Sequence, residues 1–170
     1  YNWCNDQSSD AALWFDTNEM DFGPMCWNNS YSADKIRQYV QEHPNTKYLL
    51  GFNEPNLTDQ CNMTPAQAAE QWPQVVALAR ELNLKLISPA MNYGTLAGYH
   101  DPIKWLDEFF AQPNVSLDDI HAIAIHCYMA SPSAVKDYIK RFEKYGKPIW
   151  MTEFCAWDPV PSNVEKQMDY

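Results

Sequence analysis

The 170-residue chain carries a formal charge of −10 at pH 7, and 46% of its residues are hydrophobic. A chain of this length and hydrophobicity can bury a core of its own, so we expect a single globular domain over residues 1–170. The negative charge repels phosphate backbones and anionic lipid surfaces, and no run of basic residues reverses it locally. We therefore expect neither nucleic acid nor a membrane as a partner.

Cysteines and glycosylation sequons favour a secreted protein. The five cysteines form no Cys-x-x-Cys pair, and their neighbours lack the spacing of a zinc site. The sequence shows no signal peptide and no apolar run long enough to cross a membrane, and it begins abruptly at Tyr1. We expect a mature or trimmed glycoprotein, outside the cell or in the cell wall, with disulfides whose pairing stays open and one cysteine left over. Its four Asn-x-Ser/Thr sequons begin at Asn28, Asn56, Asn62 and Asn114.

Amphipathic helices recur along the chain, and each has a recognisable start. The second is the clearest, because Thr64 and Gln67 form a capping box around a proline at the first helical position. Five helices are predicted, and they begin at Ser32, Thr64, Asp101, Ser131 and Ser162. The first is stopped by Pro44, the third ends before Pro113, and the fourth is predicted to run to Gly146.

Apolar strand segments alternate with these helices, at about 30 residues per strand and helix unit. The strand candidates cover residues 1–4, 20–27, 47–53, 84–90, 120–128 and 147–154. Several of them are almost continuously apolar, which is typical of a parallel sheet covered by helices. Such alternation predicts a doubly wound sheet or a barrel. A full barrel has eight strand and helix units in about 250 residues, whereas this chain supplies roughly six units.

Polar and aromatic residues follow nearly every predicted strand. The carboxyl ends of parallel strands lie on one face, and in barrels that face holds the active site. Glu54 follows the third segment and Glu153 lies at the end of the sixth, so both carboxylates are predicted to point at one mouth. The other strand ends read Tyr1-Asn2-Trp3, Pro24-Met25-Cys26-Trp27, Ser88-Pro89-Ala90 and His126-Cys127-Tyr128.

Two carboxylates at one mouth match the requirement for cleaving a glycosidic bond. One carboxylic acid protonates the leaving oxygen, while a carboxylate meets the oxocarbenium-like centre. Pro55 is expected to force the backbone of Glu54 towards extended geometry, and Asn53 can donate a hydrogen bond to a sugar 2-hydroxyl. For Glu153, an apolar strand delivers a charge to the end of the sheet without an obvious local cation.

The strand ends together resemble glycoside hydrolase family 128. The resemblance is carried by Gly51-Phe52-Asn53-Glu54-Pro55-Asn56 and Trp150-Met151-Thr152-Glu153-Phe154, together with the motifs around Trp3, Trp27 and Tyr128. It implies a (β/α)8 TIM barrel of clan A and endo-β-1,3-glucanase activity by double displacement. By this resemblance Glu54 matches the acid/base after barrel strand 4, and Glu153 matches the nucleophile after strand 7. Our segments three and six then correspond to those strands, so the chain would cover strands 2 to 7 and lack the first and last.

Further residues are candidates for substrate binding. By the resemblance, Asn53 bonds the sugar 2-hydroxyl and Tyr128 hydrogen-bonds the nucleophile. His126 is expected to position sugar or Glu153 if it faces the mouth, and otherwise to be a core histidine. Stacking platforms or rim packing are predicted for Trp3, Trp27 and Trp157, and the remaining subsite candidates are Asn2, Met25, Asn92 and Tyr93.

Alternatives to this hydrolase remain open at the level of sequence. One is a non-catalytic β-glucan-binding protein on the same fold, and another is a clan A hydrolase of a different β-glucan. A metal hydrolase is disfavoured because His43, His100, His121 and His126 form no ligand-spaced cluster. We expect a monomer that needs no cofactor or metal and takes a β-glucan polysaccharide or oligosaccharide as its substrate.

Overall fold

A computed structural model describes residues 1–7 and 20–156 of the chain. Helices and parallel strands alternate along it. The helices are α1 (Ala33–Glu42), α2 (Pro65–Glu81), α3 (Pro102–Phe110) and α4 (Pro132–Lys140), and the strands are β1 (Tyr48–Leu50), β2 (Lys85–Ile87), β3 (Ile120–Met129) and β4 (Ile149–Ala156). Short 3-10 turns cover Leu117–Asp119 and Glu143–Tyr145.

The helix starts predicted from capping residues are confirmed. Ser32, Thr64, Asp101 and Ser131 each accept a hydrogen bond from a backbone N–H of the first turn, and Thr64 and Gln67 form the expected capping box. The fourth helix ends earlier than predicted, at Lys140. A separate 3-10 turn follows and stops at Gly146, whose φ of 63° is left-handed. The predicted helix from Ser162 lies outside the described residues.

The four strands form one parallel sheet in the order β1-β2-β3-β4. The sheet curls into a half-barrel, so the fold is α/β with the architecture of a partial TIM barrel. Two predicted strands, 1–4 and 20–27, are not regular strands. The second keeps an isolated bridge between Met25 and Leu50, and Cys4 O accepts from Met25 N at 2.9 Å. Pro24 has no N–H to donate, which limits the ladder that this segment can form.

Two hydrophobic cores lie on opposite faces of the sheet. The outer core packs helices against strands and includes the fully buried Trp72 and Trp105. The inner core fills the half-barrel with Met25, Leu50, Ile87, Ala90, Ala122 and Ala124, and Trp150 packs against it. Trp72, Trp105 and Trp150 are therefore packing residues.

A β-bulge between β3 and β4 decides which way the end of β4 faces. Ile125 pairs with Met151, but the next residue of β3, His126, pairs with Glu153, so Thr152 is the extra residue. Trp150 packs on the inner core, and strict alternation from it would place Glu153 on the outer face. The bulge moves Glu153 to the inner face, beside His126.

The structure bears on two expectations tied to secretion, the disulfides and the glycosylation sequons. All five cysteines lie within the described residues and carry free thiols, so the predicted disulfides are wrong for this structure. Cys26 and Cys127 are buried, and burial raises the pKa of the Cys127 thiol to about 12. The sequon at Asn56 is closed to glycosylation in the folded state because its side chain is fully buried. Among the helices that the structure describes, none is both long and apolar enough to cross a bilayer.

Candidate active site

A cleft of about 530 Å³ opens at the carboxyl ends of the strands. It is lined by Trp3, Trp27, Asn53, Glu54, Gln60, Asn92, Tyr128 and Glu153. Both predicted catalytic glutamates therefore line one cleft, although they are 99 positions apart in the sequence. The parallel topology brings them together, because it directs every strand end to the same face.

Glu54 has two polar partners at a single carboxylate oxygen. Its Oε1 atom accepts from Asn92 Nδ2 at 3.1 Å and lies 2.8 Å from His126 Nδ1. Its backbone is left-handed, with φ at 42°, rather than extended as Pro55 led us to expect. The reason is a turn in which Leu57 N donates to Glu54 O while Glu54 N donates to Ala90 O. A non-glycine residue in this region costs about 1–3 kcal/mol, and such strain is common at functional sites.

Glu153 receives hydrogen bonds on both carboxylate oxygens. Oε1 accepts from Tyr1 OH at 2.7 Å and from Trp3 Nε1 at 2.6 Å, while Oε2 accepts from Tyr128 OH at 2.5 Å. Burial by itself raises the pKa of Glu153. The hydrogen bonds from Tyr128 and Tyr1, the charge of His126 and the bond from Trp3 together outweigh burial, so the pKa lies below its ordinary value of 4.5.

His126 lies between the two glutamates. Its Nδ1 atom is 2.8 Å from Glu54 Oε1 and 3.4 Å from Glu153 Oε2, and its side chain is fully buried. One potential ligand atom from each of the three residues lies within 4.8 Å of the others. Two carboxylates and an imidazole are also ligand types for a divalent metal, so this trio is where the described residues could hold one. Histidine spacing alone did not reveal this grouping.

Comparison with known proteins assigns the chain to a family. A family profile described as the glycosyl hydrolase catalytic core matches residues 1–170. The chain belongs to this family. Within it, solved structures of glycoside hydrolase family 128 share the fold, so the resemblance noted from the strand ends is confirmed.

Solved members of glycoside hydrolase family 128 differ in what they do. A subgroup II endo-β-1,3-glucanase from Pseudomonas viridiflava is 36% identical, with a TM-score of 0.85 over 99% of this chain and 68% of that one. A subgroup I enzyme from Amycolatopsis mediterranei, in complex with laminaritriose and laminaribiose, is 26% identical, with a TM-score of 0.70 over 99% and 69%. A subgroup VII oligosaccharide-binding protein from Trichoderma gamsii is 25% identical, with a TM-score of 0.65 over 91% and 58%.

A curated relative is much longer than this glycosyl hydrolase chain. Alkali-sensitive linkage protein 1 of Schizosaccharomyces pombe is 33% identical over 134 residues. The match covers 76% of this chain and 24% of the relative, so the chain spans about a quarter of that protein's length.

Three described residues that were predicted to bind substrate, Asn2, Met25 and Tyr93, do not line the cleft, and His126 is absent from its lining although it contacts both glutamates. Met25 is 1% exposed and belongs to the inner core. Asn2 uses its side chain to accept from Cys4 N, and Tyr93 packs on Tyr138 and His100. The sequence placed these residues at strand ends or in the loop that follows one, but it could not show which way each side chain turns. Trp157 lies outside the described residues.

Two residues at the site were missed as site residues. Tyr1 belongs to a strand-end motif that the sequence did reveal, yet its bond to Glu153 joins residues at opposite ends of the chain. Gln60 lies in the loop after β1, where no motif marks it, and its Oε1 atom accepts from Asn53 Nδ2 at 3.1 Å. The position of Gln60 depends on how that loop folds back, which sequence spacing does not encode.

Proposed function

We propose that this chain hydrolyses β-1,3-glucan with net retention, using Glu153 as the nucleophile and Glu54 as the general acid/base. The observation that carries the proposal is the short approach of the two carboxylates, which have oxygen atoms within 4.8 Å of each other in one cleft. Retaining glycosidases hold their two carboxyl groups about 5–5.5 Å apart, whereas inverting enzymes need about 6.5–9.5 Å to admit a water molecule. Carboxylate oxygens within 4.8 Å of each other favour the shorter, retaining separation.

The environment of Glu153 suits an ionised nucleophile. Its three donors favour the charged carboxylate, so it is ready to attack the anomeric carbon. As the bond from Glu153 to the sugar forms, the bond to the leaving oxygen breaks and Glu54 transfers its proton to that oxygen. Glu54 then takes a proton from water, whose oxygen attacks the anomeric carbon and releases Glu153.

The neighbours of Glu54 suit proton exchange. Glu54 is nearly enclosed, and its contacts with Asn92 and His126 fall on one oxygen, Oε1. Proton transfer to the leaving group then falls to the second oxygen, Oε2. His126 touches both glutamates, and we assign to it the positioning of Glu54 relative to Glu153.

The choice of substrate rests on relatives and on the cleft. The two family 128 relatives at 36% and 32% identity are named as endo-β-1,3-glucanases, as is one complexed with laminaritriose and laminaribiose, whereas a relative at 28% identity is named as an exo-β-1,3-glucanase. These names support β-1,3-glucan over other β-glucans and endo over exo action. The indole of Trp3, 54% exposed, and that of Trp27 lie in the cleft wall as platforms on which sugar rings stack. Asn53 and Tyr128 also line the cleft and complete the proposed binding set with Asn92.

The proposal extends to the barrel that the chain forms part of and to the place where the protein acts. The half-barrel matches 68% of a family 128 structure, which supports a chain that supplies strands 2 to 7 of an eight-stranded barrel. In that arrangement the segments 1–4 and 20–27 take the positions of strands 2 and 3, next to β1. The exposed sequon acceptor Asn62 supports a protein that acts outside the cell, on cell-wall glucan.

A nucleophile-rescue experiment tests the proposed roles. Glu153→Gly should abolish hydrolysis of laminarin, because no group remains to attack the anomeric carbon. Azide fits the space that the variant leaves and should restore turnover of an activated aryl β-glucoside by attacking from the face that Glu153 occupied, giving an α-azido sugar as the aryl group leaves. Nuclear magnetic resonance identifies the anomer of that product and of the first wild-type product.

The matched control is Glu70→Gly, which removes an exposed glutamate from helix α2. This variant lacks one surface carboxylate but should still hydrolyse laminarin without azide. Circular dichroism checks that it remains folded. An α-anomer as the first wild-type product would overturn the retaining mechanism.

A second candidate function is oligosaccharide binding without cleavage. It is favoured by the Trichoderma gamsii relative of the same fold, which is named as an oligosaccharide-binding protein. Isothermal titration with laminaritriose, run beside a reducing-end assay on laminarin, separates the two functions. Binding without any release of reducing ends would establish the second candidate. The close pair of glutamates supports cleavage, because binding alone requires neither.

A further inference from the structure

The loop after Glu54 folds back against the floor of the cleft. Gln60 N donates to Leu57 O at 3.3 Å, and Cys61 N donates to Asn53 O at 3.3 Å. These backbone bonds bring Gln60, seven residues from Asn53 in sequence, alongside it in the cleft wall. The loop therefore supplies a polar side chain to the cleft, next to a residue that immediately precedes Glu54.

The amide group of Asn53 has a single polar anchor. Its Nδ2 atom donates to Gln60 Oε1 at 3.1 Å, while its Oδ1 atom is buried and has no hydrogen-bond partner among the described residues. The two ends of an amide are almost equal in shape, so hydrogen-bond partners decide which end points where. For Asn53 that decision falls to Gln60, because nothing in the described residues holds the other end.

We propose that Gln60 is a positioning residue that holds the Asn53 amide with its nitrogen towards the cleft. An amide nitrogen carries two hydrogens, and only one is used by Gln60. The second is then available to donate to a hydroxyl of the sugar bound at the glutamates. This inference rests on the proposed function, and it adds a determinant that lies outside the Asn53-Glu54-Pro55 motif.

A double-mutant cycle tests whether Gln60 acts through Asn53. The variants of the full chain are Gln60→Leu, Asn53→Ala and the double variant, assayed for kcat and KM on laminarin. We expect Gln60→Leu to lower kcat/KM by about ten- to a hundredfold, mainly in kcat, because sugar hydrogen bonds strengthen in the transition state. In the Asn53→Ala background, the same change should have almost no effect.

Two outcomes of the double-mutant cycle would contradict the positioning role of Gln60. Equal losses from Gln60→Leu in both backgrounds would show that Gln60 acts independently of Asn53, and unchanged kcat/KM in the single variant would show that it has no role. Gln60→Ala removes the same acceptor with a smaller side chain and should repeat the non-additive pattern. Gln38→Leu is the control, since Gln38 is exposed on α1 and bonds only Glu42 among the contacts described.

A second measurement separates this inference from the proposed function. The side-chain amide signals of Asn53, assigned by their loss in Asn53→Ala, report its environment by nuclear magnetic resonance without any substrate. Gln60→Leu should shift these signals and speed their hydrogen exchange, whereas Gln38→Leu should not. Unaltered Asn53 signals would overturn the positioning role even if the enzyme is active. A chain that does not cleave laminarin, but shows the shift, keeps the positioning role and loses the proposed function.

Discussion

The ends of β1 and β4 each present a glutamate to the same cleft, but they stabilise it differently. Glu54 follows β1 on a strained left-handed turn, and both of its side-chain partners contact the same oxygen. Glu153 lies within β4 on a bulged strand, and its partners contact both oxygens. The two carboxylates thus have the same chemistry but different surroundings.

The different hydrogen-bond partners of Glu54 and Glu153 show how one cleft can suit two glutamates to the two roles proposed for them. Hydroxyl and indole donors around Glu153 stabilise its charge, and the pKa of this group is lowered despite burial. Glu54 instead shares Oε1 with Asn92 and His126, and its support comes from the loop after β2 and from β3. Pairs of titratable groups in contrasting surroundings are typical of acid/base division of labour.

The largest expected effect in this comparison comes from removing the proton of Glu54, the proposed acid/base. Glu54→Gln should lower kcat/KM on laminarin by about 10²- to 10⁴-fold, because the leaving sugar oxygen no longer receives a proton. An aryl β-glucoside with an acidic leaving group needs no such proton, so the rate of its glycosylation step should fall much less. Single-turnover kinetics on the two substrates make the comparison, and equal losses on both would remove Glu54 from the acid role.

An intermediate effect is expected from the scaffold of Glu54. Asn56 is fully buried, and its Nδ2 atom donates to Asn92 O at 2.8 Å and to Tyr99 O at 3.3 Å. Asn56→Ala leaves these carbonyls without that donor and should lower the free energy of unfolding in urea by about 1–3 kcal/mol.

The loop that Asn56 secures carries Asn92, so kcat should fall as well. The matched control is Asn45→Ala at an exposed position, which should change stability by less than about 0.5 kcal/mol. Equal stability of the two variants would show that the buried amide contributes nothing.

The smallest effect should be a change in pH dependence. Tyr128→Phe removes one donor from Glu153, so the pKa of that carboxyl should rise. Activity that requires ionised Glu153 increases as pH rises through this pKa, and the acid limb of kcat/KM should therefore move to higher pH. Above that limb we expect a loss of about tenfold.

Tyr99→Phe is the control for the tyrosine change, because Tyr99 donates to the Glu108 carboxylate at 2.8 Å away from the cleft. Its acid limb should coincide with that of the wild type. An acid limb that stays in place in Tyr128→Phe would show that Tyr128 does not set the ionisation of Glu153.

Much of the fold and the principal site residues could be predicted because local chemistry marks them. Capping residues located four helix starts, and apolar runs located each of the regular strands that the structure describes. The strand-end rule then placed Glu54 and Glu153 at one mouth. Details of side-chain direction were harder, since Met25 turns into the inner core although its neighbour Trp27 lines the cleft.

The sequence alone therefore determined the alternation of strands and helices, the family and the pair of glutamates, because each depends on short-range patterns. The tertiary structure decided which way the two glutamate side chains point and which residues hold them. The bulge at Thr152 turns Glu153 inward, Tyr1 and Trp3 reach it across the half-barrel, and Asn56 joins two loops around Glu54. Such contacts follow from the curvature and register of the sheet, which are set by packing among residues distant in sequence.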